Sequence, residues 1–374
     1  MEISRFGVEE WMNAYEMDAK YNTGETCVES LTLKELLKLV GESDGLMDMI
    51  KTMKLDYGYI RGSEAFRNEA ANLYQNMGPE NILATHGGSG ANFLAFYTLV
   101  NPGEKVVSVQ PTYQQLYSIP ESFQAEVKIL ELKYEDNFLP DLNRLEELLD
   151  DDTRLICLNN PNNPTGALIK RPMLEEIVEL ARRQGAYLLC DEVYHGLFHD
   201  PEERVPSVAD LYEKGISVGS MSKVFSLAGL RMGWIAAARE IIEECQRRRD
   251  YTIISCGKID DFLAALALQN RDKIRERNFP RVVEQLEILD NWVAKEPAID
   301  YVKPEAGSVA FLKYDLDISS REFCRQMIEE RGVLLVPGSC FEKEGFFRLA
   351  FAGNRSELEK GLKEISCFIR NFDN

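Results

Sequence analysis

Residues 216–238 read ISVGSMSKVFSLAGLRMGWIAAA. Two short apolar runs, ISVGS (216–220) and WIAAA (234–238), read as buried strands. Between them lies a stretch of small and apolar side chains that holds one lysine, Lys223, and, eight residues on, one arginine, Arg231. A lysine in such company is costly unless it is neutralised or bonded to something. What it touches is the question the rest of the chain answers.

The same grammar recurs upstream. ILAT (82–85) runs into HGGSG, KVVSV (105–109) into QPTY, RLICL (154–158) into NNPNNPTG, and AYLLC (186–190) into DEVY, with VKIL (127–130) as a further strand. Stretches of helical period separate these runs, which predicts a βα repeat and a mostly parallel sheet. In an open α/β sheet ligands bind beyond the strand ends, so these four polar segments and SMSK (220–223), five in all, predict one composite site. The fold class is therefore α/β, with a large domain over 45–270 whose mostly parallel central sheet is flanked by helices. Thr32 and Glu35 form a capping box that opens a helix at SLTLKELLKLV. Residues 271–300 read as a long charged helix. VAFLKY, VLLVPG and FFRLAFA then read as strands, with helices near 321–331 and 355–370. This α+β ending, together with the N-terminal arm, predicts a smaller domain of residues 1–44 and 271–374.

Charge narrows the function. With 62 acidic against 43 basic residues the net charge is −19, which argues against nucleic acid or an anionic membrane as a partner. No apolar run approaches the ~20 residues of a membrane span. The N-terminus MEISRFGVEEWMNAYEMDAK has no basic region followed by an apolar core, and eight cysteines fall without a CxxC pair. Both point to reduced thiols in a cytoplasmic protein. His195 and His199 in HGLFH lack a companion ligand pattern, so no metal is expected.

The polar segments also suggest a reaction. A lysine amine activated by burial and a nearby cation forms Schiff bases with carbonyls. Arg231 is that cation, or it grips a phosphate. HGGSGAN (86–92) opens a helix directly after a strand and so offers backbone N–H groups and a dipole to an anion. Asp191, behind a fully apolar strand, needs a cationic partner, and a protonated pyridine nitrogen is one. Phosphate, aldehyde and pyridine together describe pyridoxal 5′-phosphate.

With these motifs in order from about Tyr57 to Arg348, the sequence resembles the class I/II aminotransferases of the fold-type I pyridoxal-phosphate enzymes. The resemblance implies that Lys223 holds the cofactor as a Schiff base and that Arg231 binds its phosphate together with Gly88, Ser89 and Ser220. It implies that Asp191 pairs with the pyridine N–H, that Tyr194 and Asn163 reach the ring 3-oxygen, and that Tyr113 stacks on the ring. Lys223, Asp191 and Tyr194 are thus the catalytic candidates. Arg348 in FFRLAFA, with Asn163, is the candidate grip on the substrate α-carboxylate. Tyr57 in DYGYIRGSEAFRNEAANLY is the tyrosine that reaches the phosphate of a partner subunit, which implies a homodimer. The implied reaction moves an amino group between an amino acid and a 2-oxo acid.

Some segments depart from the usual pattern. His86 and His195 replace other residues, and ISCGKIDDFLAALAL (254–268) carries Asp260 and Asp261 where a Gln-containing form is frequent. YNTGETCVESLTL (21–33) departs from the common Gly-Glu-Pro form and resembles a branch of the family that contains capreomycidine synthase, which eliminates and cyclises on an arginine derivative. A pyridoxal-phosphate lyase or cyclase is the alternative this leaves open. HGGSGAN lacks the G-x-G-x-x-G spacing of a dinucleotide-binding dehydrogenase.

Overall fold

Seven strands form the central sheet of the computed structural model, which describes residues 2–41 and 44–372. They are β1 (Ile82–His86), β2 (Lys105–Gln110), β3 (Glu126–Glu131), β4 (Thr153–Asn159), β5 (Tyr187–Asp191), β6 (Gly215–Ser220) and β7 (Met232–Ala237). Each contains one of the apolar runs, as suits strands of a sheet covered by helices; β6 and β7 are buried along their whole length, whereas the edge strand β3 is largely half-buried or exposed. The order is β1-β7-β6-β5-β4-β2-β3, and β7 alone runs antiparallel to its neighbours. Helices Gly87–Leu99 and Arg239–Arg249 pack on one face, and Arg171–Gln184 and Val208–Leu211 on the other. Where β6 passes β7, a Cβ on Gly219 would fall 2.1 Å from the Trp234 ring, so glycine there makes room for the indole.

Four further strands make a second, antiparallel sheet: β8 (Ile299–Tyr301), β9 (Val309–Tyr314), β10 (Val336–Pro337) and β11 (Phe346–Ala350), in the order β10-β11-β9-β8. Helices Ser320–Arg331 and Arg355–Phe372 stand where the sequence places them. VLLVPG does not form one strand. Val333–Leu334 pairs in parallel with Tyr21–Asn22, whereas Val336–Pro337 pairs with β11, and between the two the Leu335 carbonyl accepts from Trp11 Nε1 at 2.8 Å. The helix expected over 271–300 spans Arg271–Val293. Pro297 disfavours helical backbone at the residue before it, and the chain then enters β8. The capping box is present: Thr32 Oγ1 accepts from the Glu35 N–H at 3.2 Å, and Glu35 Oε2 from the Thr32 N–H at 2.8 Å.

The segment 23–29 is laced to the second sheet. The Ala350 N–H donates to Thr23 O at 2.7 Å, Ser308 Oγ to Thr26 O at 2.5 Å, and the Glu29 N–H to Ala352 O at 2.9 Å. This carries Thr26 and Cys27 to the strand ends of the large sheet. Among the described residues no helix is long and apolar enough to cross a membrane.

Candidate active site

A cavity of about 590 Å³ opens at the ends of β1, β2, β4, β5 and β6, and all five predicted polar segments line it. Gly88 and Ser89 follow β1, Tyr113 follows β2, and Asn163 follows β4. Asp191 and Tyr194 come from the end of β5, and Ser220 and Lys223 from the end of β6. Arg231 and Arg348 complete the set.

Asp191 forms the floor. It is buried at the end of β5, where Oδ2 accepts from Asn92 Nδ2 at 2.7 Å and Oδ1 from the Val193 N–H at 3.2 Å. Burial pushes its carboxyl above the usual carboxylate range, and the two hydrogen bonds offset part of that. A cationic ring N–H is the partner such a carboxylate lacks.

Gly87, Gly88 and Arg231 form a cradle for an anion. Gly87 opens the helix Gly87–Leu99 with φ +65°, and a Cβ there would stand 2.8 Å from Arg231 Nη2. A Cβ on Gly88 would stand 2.9 Å from Val193 Cγ1. Neither position takes a side chain unless that neighbour moves, and the N-terminus of a helix offers N–H groups to an anion. Arg231 Nη1 donates to Ala228 O at 2.9 Å, which leaves the rest of its guanidinium for a ligand. Ser220 Oγ donates to Ser222 Oγ at 2.9 Å.

Lys223 is half-buried. Its Nζ donates to Thr26 Oγ1 at 2.7 Å and to Cys27 Sγ at 3.7 Å. Burial lowers the amine's affinity for a proton, the Cys27 thiol and the Tyr194 phenol raise it, and Arg348 lowers it. The net direction is upward, opposite to the activation expected from the sequence. Arg348 is a cation whose field reaches the lysine, and the Arg231 guanidinium stands beside Gly87.

Arg348, on β11, is 3% exposed. Its Nη1 donates to Asn163 Oδ1 at 3.1 Å and its Nη2 to Gly24 O at 2.8 Å, while Nε has no partner among the described residues. Tyr194 OH is likewise buried without a partner among the described residues. Two orphaned polar groups in one cavity fit a ligand that carries an acceptor for each. The Tyr113 ring lies 4.9 Å from Phe6, and its hydroxyl donates to Glu9 Oε1 at 2.8 Å. Tyr57 is 78% exposed and does not line the cavity of its own chain.

Lining residues that the sequence reading did not assign include Asn92, Thr26, Cys27 and Glu9. Asn92 had a signal, since it follows Gly88 by one helical turn in HGGSGAN and so shares its face. His195 and His199 spend ring nitrogens on backbone carbonyls, Nε2 of His195 on Val205 and both nitrogens of His199 on Pro304 and Gly307.

The glycine–arginine cradle, the buried carboxylate and the lysine stand together at the strand ends of this sheet, which is the sheet of a fold-type I pyridoxal-phosphate enzyme. The profile of the aminotransferase class I and II family matches residues 24–365, and the chain belongs to that family. It is 32% identical over 363 residues to capreomycidine synthase of Streptomyces vinaceus, a match that covers 96% of this chain and 92% of the relative. It is 30% identical over 304 residues to an aspartate aminotransferase of Thermotoga maritima, covering 79% and 78%. The crystal structure of a PLP-dependent aminotransferase from Streptococcus suis 89-1591 superposes with a TM-score of 0.97 at 45% identity, over 100% of both chains. The cofactor is pyridoxal 5′-phosphate.

Proposed function

We propose that the protein moves an amino group between an amino acid and a 2-oxo acid, with Lys223 as its catalytic amine. The observation that carries this reading is one cavity that holds the Lys223 amine, the buried Asp191 carboxylate and the buried Arg348 guanidinium. Asp191 would hold the cofactor's ring nitrogen, Asn163 and Tyr194 its ring oxygen, and Tyr113 its ring face. Gly88, Ser89, Ser220 and Arg231 would hold its phosphate. Bound there, pyridoxal phosphate supplies an aldehyde that condenses with amines and a ring that accepts the electron pair left when an α-proton departs.

Arg348 takes the substrate carboxylate side-on through Nε and a neighbouring N–H, which fixes where Cα lies. Lys223 Nζ takes the α-proton as general base and later releases it as general acid. Asn92 Nδ2 and the Val193 N–H keep the Asp191 carboxylate oriented, so that it can hold a proton on the group facing it.

A second reading, elimination or cyclisation, is favoured by YNTGETCVESLTL and by the likeness to capreomycidine synthase over 96% of the chain. The same residues remove the α-proton, and a leaving group on the side chain then departs. The test incubates the holoprotein with single amino acids plus 2-oxoglutarate or pyruvate, and assays keto-acid exchange separately from ammonia or a cyclised product. Exchange supports transamination, and ammonia or a ring without exchange supports the second reading. Borohydride reduction should fix pyridoxyl on Lys223; a label on any other lysine would overturn the assignment.

The working unit we propose is a homodimer in which Tyr57 serves the partner's phosphate. Leu55, Tyr57, Tyr59, Ile60, Tyr251 and Ile254 are all exposed. Gly58 lies against the Cys256 carbonyl, so the segments around 55–60 and 251–256 adjoin in one apolar surface that needs cover. We take residues 45–270 as the large domain and 1–44 with 271–374 as the small one; the pairing of Tyr21–Asn22 with Val333–Leu334 supports that division. A cytoplasmic setting agrees with eight free cysteines, seven of them buried.

A further inference from the structure

We infer that Thr26 is a positioning residue for the catalytic amine, with its hydroxyl as the acceptor that holds Lys223 Nζ in place. The inference rests on the reading of Lys223 given above. Its motivation is a 2.7 Å hydrogen bond between residues 197 positions apart, made by the single oxygen atom in hydrogen-bond contact with Nζ among the described residues. Thr26 is itself buried and fixed: its carbonyl accepts from Ser308 Oγ, and the Gly24 carbonyl two residues before it accepts from Arg348 Nη2.

Thr26 therefore belongs mechanically to the second sheet, whereas Lys223 hangs from β6 of the first. The hydrogen bond ties the amine to the same segment that helps orient the carboxylate grip. This residue stands where the common Gly-Glu-Pro form has proline, which has no hydroxyl to offer. A lysine amine on a flexible four-carbon stem has many rotamers, and proton transfer needs it within hydrogen-bond reach of the proton. Thr26 reduces that search.

An acceptor facing Nζ also favours its protonated form. The other charged or titratable groups facing the amine are Cys27 and Glu25 from the same segment, Tyr194 and Asp191 from the end of β5 and the loop after it, and Arg348 from β11.

The test compares the Thr26→Val and Thr26→Ser holoproteins with the parent. Two quantities are read: the pH midpoint of the resting cofactor's visible absorbance, and the rate of solvent-deuterium incorporation at Cα of an accepted amino acid. Thr26→Val should move the midpoint to lower pH and slow exchange about 10- to 100-fold, with the amino-acid concentration for half-saturation unchanged. Thr26→Ser should keep both quantities within about twofold of the parent. If Thr26→Val does not fold, Thr26→Ala is read in its place. The inference falls if the variant keeps either the parent's midpoint or its exchange rate. A parent that responds to no amino acid would count against the proposed function, and the midpoint alone would then decide the role of Thr26.

Discussion

Replacing Arg348 with lysine keeps the charge and removes the geometry, so it isolates what the fork contributes. In the structure Nη1 and Nη2 are oriented by Asn163 Oδ1 and Gly24 O, and the Nε edge is left for a ligand. A carboxylate on that edge makes two charge-assisted hydrogen bonds, of which an ammonium keeps one. The lost bond is worth about 1.5–3 kcal/mol, and an acceptor left unpaired in this buried site costs about 1 kcal/mol more. The sum, about 2.5–4 kcal/mol, corresponds to roughly 70- to 900-fold in kcat/KM. Most of it should appear in KM, because the carboxylate is held alike before and during proton transfer. The assay titrates the cofactor's visible absorbance with an accepted amino acid and, in parallel, with the matching amine that lacks the carboxylate. The parent should prefer the amino acid by more than this factor, and Arg348→Lys should lose about this much of the preference while binding the amine as before. A variant that still discriminates like the parent would show that another group holds the carboxylate.

Asp191→Asn should act in opposite directions on stability and on chemistry. Because burial raises the Asp191 carboxyl, its ionisation opposes folding of the cofactor-free protein. The penalty is absent below the unfolded-state pKa, grows as pH rises from there to the folded-state value, and is constant above that. Cofactor-free Asp191→Asn should therefore melt higher than the parent at neutral pH, with a gap that closes in acid, while its turnover falls; thermal melts across pH check the first claim, and an unchanged gap would refute it. Gly87→Ala puts a side chain at φ +65°, about 1–2 kcal/mol of strain, and its Cβ 2.8 Å from Arg231 Nη2. The guanidinium can swing away, so the fold should survive while cofactor retention on dialysis weakens about tenfold; equal retention would count against the cradle. Mixing Lys223→Ala chains with Tyr57→Phe chains gives heterodimers with one doubly lesioned site and one intact site. Activity above both parent variants supports the shared site, and none despite proven subunit exchange returns Tyr57 to a surface role.

Much of this was legible in the sequence because helices cover both faces of the large sheet. Continuous apolar runs such as YLLC and ISV have few other homes, and the polar residue that ends each run must then sit at the sheet's edge. Asp191, Lys223 and Asn163 could be placed in one cavity on that logic alone. What stayed hidden depends on contacts between distant parts of the chain. Nothing local marks Thr26 as the partner of Lys223, and the direction of the lysine's proton affinity turns on Cys27, Tyr194 and Arg348, none of them neighbours in sequence. The division of VLLVPG into two strands likewise follows from Trp11 and Tyr21, more than three hundred residues away.

The lacing of the N-terminal arm to the second sheet has a consequence for biosynthesis. Thr23 Oγ1 donates to the Leu334 carbonyl 311 residues later, and Thr23 O accepts from the Ala350 N–H. A ribosome adding about 5–20 residues per second needs roughly 15–60 s to cover that interval. For all of it the segment around Thr23 has no docking partner, and the glycine cradle, Asp191 and Lys223 are made before that partner is. The segment around Thr23 thus docks only once residues 334–350 have been made, and Thr26, which it carries, reaches Lys223 no earlier.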